Sequence, residues 1–246
     1  ALGTGDFTFE CWVKFSDSSY EGGSNRRIFA LDDGGNVVDK FSIAIDDGSY
    51  RTNGDLFIWS NSDQGYLGVD IRHNWHHIAV VRNSGTLKFY LDGVEKDSNS
   101  NTQDYSPNSG SPAPVIGQRG DDKAHYNGYI SNLRLVVGTA VYTSNFNVTN
   151  TPLTAITNTK LLTCQNSSGA PTDASSVNHT VDTSGSATGS SVAPFRDYIT
   201  VPTSPLTAIT NTKLLTAQHS NQIIDASGNC TIISHNNCVA TRINPF

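Results

Sequence analysis

Between Asp6 and Phe15 the chain reads DFTFECWVKF. The period-two alternation puts Phe7, Phe9, Cys11, Val13 and Phe15 on one face and Thr8, Glu10, Trp12 and Lys14 on the other. That is the pattern of a half-buried strand. Further short apolar runs follow at Arg27–Leu31, Phe41–Asp46, Asp55–Ser60, Trp75–Arg82, Thr86–Leu91, Val115–Gln118 and Tyr129–Val137. Turn-rich stretches such as Asp33-Gly34-Gly35 and Asp47-Gly48-Ser49 punctuate them. Two hairpins are legible, one turning at Asn83-Ser84-Gly85 and the next at Asp92-Gly93. Many short strands with Gly, Asn and Asp between them predict an all-β antiparallel sandwich or barrel and argue against a doubly wound sheet.

The last third of the chain carries an internal repeat. Pro152–Thr163 (PLTAITNTKLLT) recurs without change at Pro205–Thr216. Asp173-Ala174-Ser175 returns as Asp225-Ala226-Ser227, and the ending Pro194-Phe195 as Pro245-Phe246. The sequence therefore divides into a sandwich over 1–165 and a duplicated β-rich extension over 166–246. Its repeat units are 152–195 and 205–246, joined by 196–204. Each unit is expected to hold a strand, Lys160–Gln165 or Lys213–Gln218, and two copies are too few for a self-standing array.

Four separate motifs carry a family resemblance: Leu2-Gly3-Thr4-Gly5-Asp6-Phe7-Thr8-Phe9-Glu10-Cys11-Trp12-Val13, Trp75-His76-His77-Ile78-Ala79-Val80-Val81-Arg82, Tyr90-Leu91-Asp92-Gly93-Val94 and Gly128-Tyr129-Ile130-Ser131-Asn132-Leu133-Arg134. Over residues 1–165 the chain resembles the concanavalin A-like, laminin-G/pentraxin-like jelly rolls. With the continuation Thr159–Gln165 it is similar to domains of tailed-phage structural proteins, marine ones especially. The resemblance implies a two-sheet jelly roll. It also implies an opening strand of the type D-Y-x-x-V-P before the Leu2 motif, whereas such a string occurs late, at Asp197-Tyr198-Ile199-Thr200-Val201-Pro202. Because an unpaired sheet edge invites strand addition, Asp197, Tyr198, Ile199 and Val201 are expected to fill that edge in cis or in a neighbouring subunit. The surplus repeat strand with Lys213, Leu214 and Leu215 is expected to pair with a neighbour or to pack locally.

Composition removes several functions. Of 246 residues only 15% are charged and the net charge is -6, so the dense basic surface that phosphate backbones demand is missing and nucleic acid is not an expected partner. No apolar run approaches the roughly 20 residues a membrane-crossing helix needs, so no membrane insertion is expected. Methionine is absent, and Glu occurs only at Glu10, Glu21 and Glu95. Hydrolases of the resembled fold use paired glutamates; none are paired here, and no catalytic residue is assigned. His76 and His77 are strand neighbours that point to opposite faces, which favours packing over a shared metal.

The remaining candidates are binding sites. Asp32, Asp33, Asp46, Asp47, Asp121 and Asp122 lie in loops that either coordinate Ca2+ or are ordinary turns; no cofactor is required. Trp59, Tyr66, Tyr105 and Tyr126 sit near Asn- and Asp-rich loops where an aromatic platform beside amides would bind glycan. Cys11, Cys164, Cys230 and Cys238 lie at no zinc spacing; pairing of Cys230 with Cys238 and Cys11 with Cys164 stands beside free buried thiols.

The chain is thus expected to be a non-enzymatic structural or adhesion protein of an extracellular assembly: a virion part such as a tail fibre, adhesin or capsid decoration. Its expected partners are copies of itself, other assembly proteins and host-surface glycans. The alternative is a calcium-dependent carbohydrate-binding module of a secreted or cell-surface protein.

Overall fold

The computed structural model describes residues 2–15, 25–31, 40–46, 54–60, 63–106, 114–119, 124–183, 185, 187–195 and 210. Among them the chain forms eleven strands: β1 Phe7–Phe15, β2 Arg26–Leu31, β3 Phe41–Ile45, β4 Asp55–Trp59, β5 Asp63–Asp70, β6 His76–Asn83, β7 Thr86–Leu91, β8 Val94–Ser100, β9 Pro114–Ile116, β10 Gly128–Val137 and β11 Thr159–Thr163. All pairing between them is antiparallel, in a six-stranded sheet ordered β11-β10-β1-β6-β7-β8 and a five-stranded sheet ordered β5-β4-β3-β2-β9. This is the expected two-sheet sandwich. No helix among the described residues is long and apolar enough to cross a membrane.

One core fills the space between the sheets. Phe7, Phe9, Cys11 and Val13 from β1 meet Phe29, Phe41, Ile43 and Ile58 of the facing sheet, with Phe9 and Phe29 ring centroids 4.9 Å apart. Full burial of each such side chain contributes about 1.5–3 kcal/mol. Both predicted hairpins close through paired left-handed residues, Ser84 and Gly85 (φ 49° and 78°) and Asp92 and Gly93 (φ 50° and 80°), the geometry of type I′ turns. Gly93 is also required for space: a Cβ there would lie 2.0 Å from the carbonyl oxygen of Phe146.

The polar face of β1 departs from the half-buried expectation, because Thr8 and Glu10 are as buried as the core. The chain after β10 crosses the outside of the six-stranded sheet and covers them. Thr8 Oγ1 donates to the carbonyl of Thr139 (3.0 Å) and accepts from the Val141 amide (2.8 Å). Tyr142 stacks on Phe146 at 3.6 Å, and Phe146 lies against Tyr90 above Ala79 and Val81.

Beneath this strap Glu10 accepts four hydrogen bonds. Arg134 Nε (2.9 Å) and Nη2 reach Oε1; His77 Nε2 (3.2 Å) and the Tyr142 hydroxyl (2.8 Å) reach Oε2. A carboxylate only accepts, so the His77 proton sits on Nε2. Burial alone raises the Glu10 pKa, but the His77 hydrogen bond and the Arg134 charge outweigh it and hold the carboxyl below its ordinary 4.5. Burial and the Glu10 charge push the Tyr142 hydroxyl up.

The chain divides into two compact units, Ala1–Arg196 and Asp197–Phe246. The boundary expected at 165 falls inside the first, whose residues 173–175 close the free side of β11: Asp173 Oδ1 accepts from the Leu162 amide (3.0 Å) and Ala174 N donates to the Leu162 carbonyl (2.7 Å). Apart from Thr210, the second unit lies outside the described residues. So do the expected assembly positions Asp197, Tyr198, Ile199, Val201, Lys213, Leu214 and Leu215.

Removing one partner of a buried ion pair strands the other. Arg134→Met should therefore destabilise the fold by about 3–5 kcal/mol, read from urea midpoints at neutral pH. The depressed Glu10 pKa contributes stability that is present above the unfolded value and lost as pH falls through the lower folded value. Acid melting curves should therefore drop more steeply below about pH 4.5 for the wild type than for Glu10→Gln.

Candidate functional site

β5 and β8 are the edge strands of different sheets, and they come side by side along one flank of the sandwich. β5 turns Leu67 into the core and leaves Tyr66 outside, 48% exposed. Polar side chains bridge the two edges: Asn99 Nδ2 donates to the Gln64 carbonyl (3.1 Å), Asn101 Nδ2 to Gln64 Oε1 (2.9 Å), and the Tyr66 amide to Asp97 Oδ2 (3.5 Å). Asn99 Nδ2 also reaches Asp97 Oδ2 at 3.2 Å. Bridging of this kind covers two strand edges that would otherwise invite pairing with another chain.

Above the bridges lies an open groove of about 670 Å³, lined by Gln64, Tyr66, Lys96, Asp97, Asn99 and Asn101 among others. Its chemistry is that of a surface for a neutral, hydroxyl-rich ligand. Amides offer both donors and acceptors, Lys96 and Asp97 offset each other's charge, and Tyr66 adds an exposed apolar ring face. The lining carries one acidic residue, Asp97, whereas glycoside hydrolysis uses two carboxyl groups set across the scissile bond.

Of the aromatic residues expected as a platform, the structure exposes two. Tyr66 is in the groove, and Trp59, 36% exposed, ends the neighbouring β4, where Phe57 pairs with Tyr66. Tyr105 and Tyr126 correct the expectation. Tyr105 is fully buried, its ring 5.0 Å from Phe41 and 4.9 Å from the Arg82 guanidinium, because the stretch after β8 folds back over the end of the core. Tyr126 packs on Phe15 with its hydroxyl buried, and burial pushes its pKa well up.

The buried Arg82 explains the first motif. Its guanidinium donates to the carbonyls of Gly3, Gly5 and Gln103, pinning the chain start to the sheet end. His76 and His77 diverge as expected, His76 Nδ1 to Asp92 Oδ2 (2.8 Å) and His77 to Glu10.

Asp46 is buried at the end of β3, its amide donating to the Asp55 carbonyl (2.7 Å). Asp32, Asp33, Asp47, Asp121 and Asp122 lie outside the described residues, among which no group of three His, Cys, Asp or Glu side chains converges as a metal site. Cys11 and Cys164 are free thiols, the second of the two readings the sequence left open. Cys230 and Cys238 lie outside the described residues.

The comparisons with known proteins agree with this architecture. Residues 1–160 match the concanavalin A-like lectin/glucanases superfamily, and the chain belongs to that family. A Bacteroides ovatus protein assigned to carbohydrate binding superposes with a TM-score of 0.51 at 15% identity, over 68% of this chain and 48% of that one; the present chain thus spans about half of its length. Domain 4 of the extracellular arabinanase AbnA from Geobacillus stearothermophilus, solved with arabinotriose, gives 0.43 at 20% identity over 57% and 64%. The heptameric pentraxin of Limulus polyphemus gives 0.39 at 18% over 58% and 68%. No curated protein matches the chain in sequence.

The groove floor depends on a glycine. At Gly65 (φ 145°) a Cβ would stand 2.6 Å from Phe89 Cε2 and 2.9 Å from Asn99 Nδ2. Gly65→Ala should therefore lower stability by about 1–3 kcal/mol in urea titration.

Proposed function

We propose that the chain is a non-enzymatic binding domain that holds neutral glycans in the groove between β5 and β8. The observation that carries this reading is the half-exposed Tyr66 ring beside Gln64, Asp97, Asn99 and Asn101 in an open, charge-balanced cleft. The fold is shared with a protein assigned to carbohydrate binding. In this reading the domain works outside the cell, on a secreted protein, a cell surface or a virion. The virion placement, as tail fibre, adhesin or capsid decoration, is supported by the phage-like continuation Thr159–Gln165 and by the duplicated strand. A calcium requirement is the second reading, supported by the acidic loop pairs Asp32-Asp33, Asp46-Asp47 and Asp121-Asp122.

Glycan-array binding of the full chain, with and without chelator, tests both. Binding is expected for neutral oligosaccharides. An aromatic contact contributes about 0.5–1.5 kcal/mol, so Tyr66→Ala should weaken binding up to about tenfold. Loss of binding on chelation would support the calcium reading. No glycan bound at millimolar concentration, or unchanged affinity in both Tyr66→Ala and Asn99→Ala, would overturn the assignment.

A further inference from the structure

Between β7 and β8 the ladder slips by one residue. Leu91↔Val94 and Tyr90↔Glu95 are followed by Phe89↔Asp97, so Lys96 is the extra residue of a β-bulge. In a regular strand Lys96 and Asp97 would point to opposite faces, and a bulge re-aims such a side chain. Both residues line the groove beside Tyr66. An irregularity of the edge strand thus brings a lysine to the cleft.

Most of the other polar groups of the groove hold one another. The two amide protons of Asn99 go to the Gln64 carbonyl (3.1 Å) and to Asp97 Oδ2 (3.2 Å), and Asn101 Nδ2 donates to Gln64 Oε1 (2.9 Å). The Asp97 carboxylate accepts from Asn99 and from the backbone amides of Ser98 (2.8 Å) and Tyr66 (3.5 Å). On the same strand Glu95 Oε2 takes Lys88 Nζ (2.9 Å). The acidic neighbours of Lys96 are therefore already engaged. Lys96 itself is exposed, and among the described residues its ammonium makes no hydrogen bond or ion pair; the same holds for Asn99 Oδ1 and the exposed Ser100 hydroxyl.

Resting on the reading of this groove as a glycan site, we infer that its ligands are neutral sugars with a free pair of adjacent hydroxyls, and that Lys96 selects them. One hydroxyl oxygen accepts from Lys96 Nζ, the neighbouring O–H donates to Asn99 Oδ1, and the apolar face of the sugar lies on Tyr66. An ammonium only donates and an amide oxygen only accepts, so the ligand must offer an acceptor and a donor side by side. A hydroxyl pair offers both without charge. A carboxylate or sulfate offers acceptors alone and would face the Asn99 oxygen and the Asp97 carboxylate with like polarity, which disfavours acidic sugars. Ser100, whose hydroxyl can turn to donate or accept, adapts to either partner.

The test takes a neutral oligosaccharide that the full chain binds, its deoxy analogue lacking the hydroxyl pair and an acidic counterpart, each titrated calorimetrically against wild type, Lys96→Met and Lys96→Arg. Lys96→Met is expected to weaken binding of the neutral oligosaccharide about tenfold with its urea midpoint unchanged, because an exposed lysine carries no packing. Lys96→Arg, which still donates, should keep most of the affinity. Wild type should lose about tenfold on the deoxy analogue, whereas Lys96→Met should bind the sugar and the analogue alike, since the contact is already gone. Binding of the neutral sugar should not weaken with added salt. Wild-type affinity in Lys96→Met, or an equal further loss on the deoxy analogue in that variant, would overturn this inference and leave the groove reading standing. So would an acidic counterpart held more tightly than the neutral sugar and released by salt, which would make Lys96 a partner for charge. If wild type binds no glycan at all, the groove reading itself falls and this inference with it.

Discussion

The carboxylate of Glu10 joins parts of the molecule that are far apart in sequence. Its two oxygens take donors from β6, β10 and the strap that follows β10, while its own backbone sits in β1. Four donors on a group with no exposure leave no lone pair to water, so the position of each donor is constrained by the others. Arg134 is fixed in this way on one side and on the other reaches the Thr154 carbonyl. The ion pair that secures the strap therefore also orients the edge on which the last described strand pairs.

The treatment of sheet edges accounts for much of what remains. β9 is three residues long and begins with Pro114, which cannot donate to a further strand. The free side of β11 is closed by Asp173 and Ala174. β5 and β8 lie along each other and are joined through amides. The exposed polar groups of that junction are also the ones that could meet a ligand, so the candidate groove and the protection of the two edges are built from the same side chains.

This division explains what could be read in the sequence. Strands that face the core announced themselves through alternation or apolar runs, as in Phe7–Phe15 and His76–Asn83, and the Asp92-Gly93 turn was visible from its residue types. β5 was not expected, and β8 was implied only as the unbounded second arm of the hairpin at Asp92-Gly93. DQGYLGVD and VEKDSNS carry too few apolar positions for a strand pattern, since edge strands need little burial and their pairing is decided by the neighbour. The groove is made from those two strands, so Tyr66 was legible only as an aromatic residue near polar loops, and its partners Gln64, Asp97 and Asn99 were not. Tyr105 was misread for a related reason: its local sequence is polar, while its burial is imposed by Phe7, Phe41 and Arg82 from elsewhere. The Glu10 network likewise joins residues up to 132 positions apart, a separation that no local pattern reports.

The place of β1 in the six-stranded sheet bears on how the chain reaches this structure. It lies between β6 and β10, with Phe7 paired to Arg82 on one side and to Val137 on the other. During synthesis, half of the hydrogen bonds of β1 wait for β10, more than a hundred positions further along the chain. Pairings of such separation bring a large closure entropy before any gain, which places the domain among slow folders and leaves the DFTFECWVKF segment uncovered during synthesis.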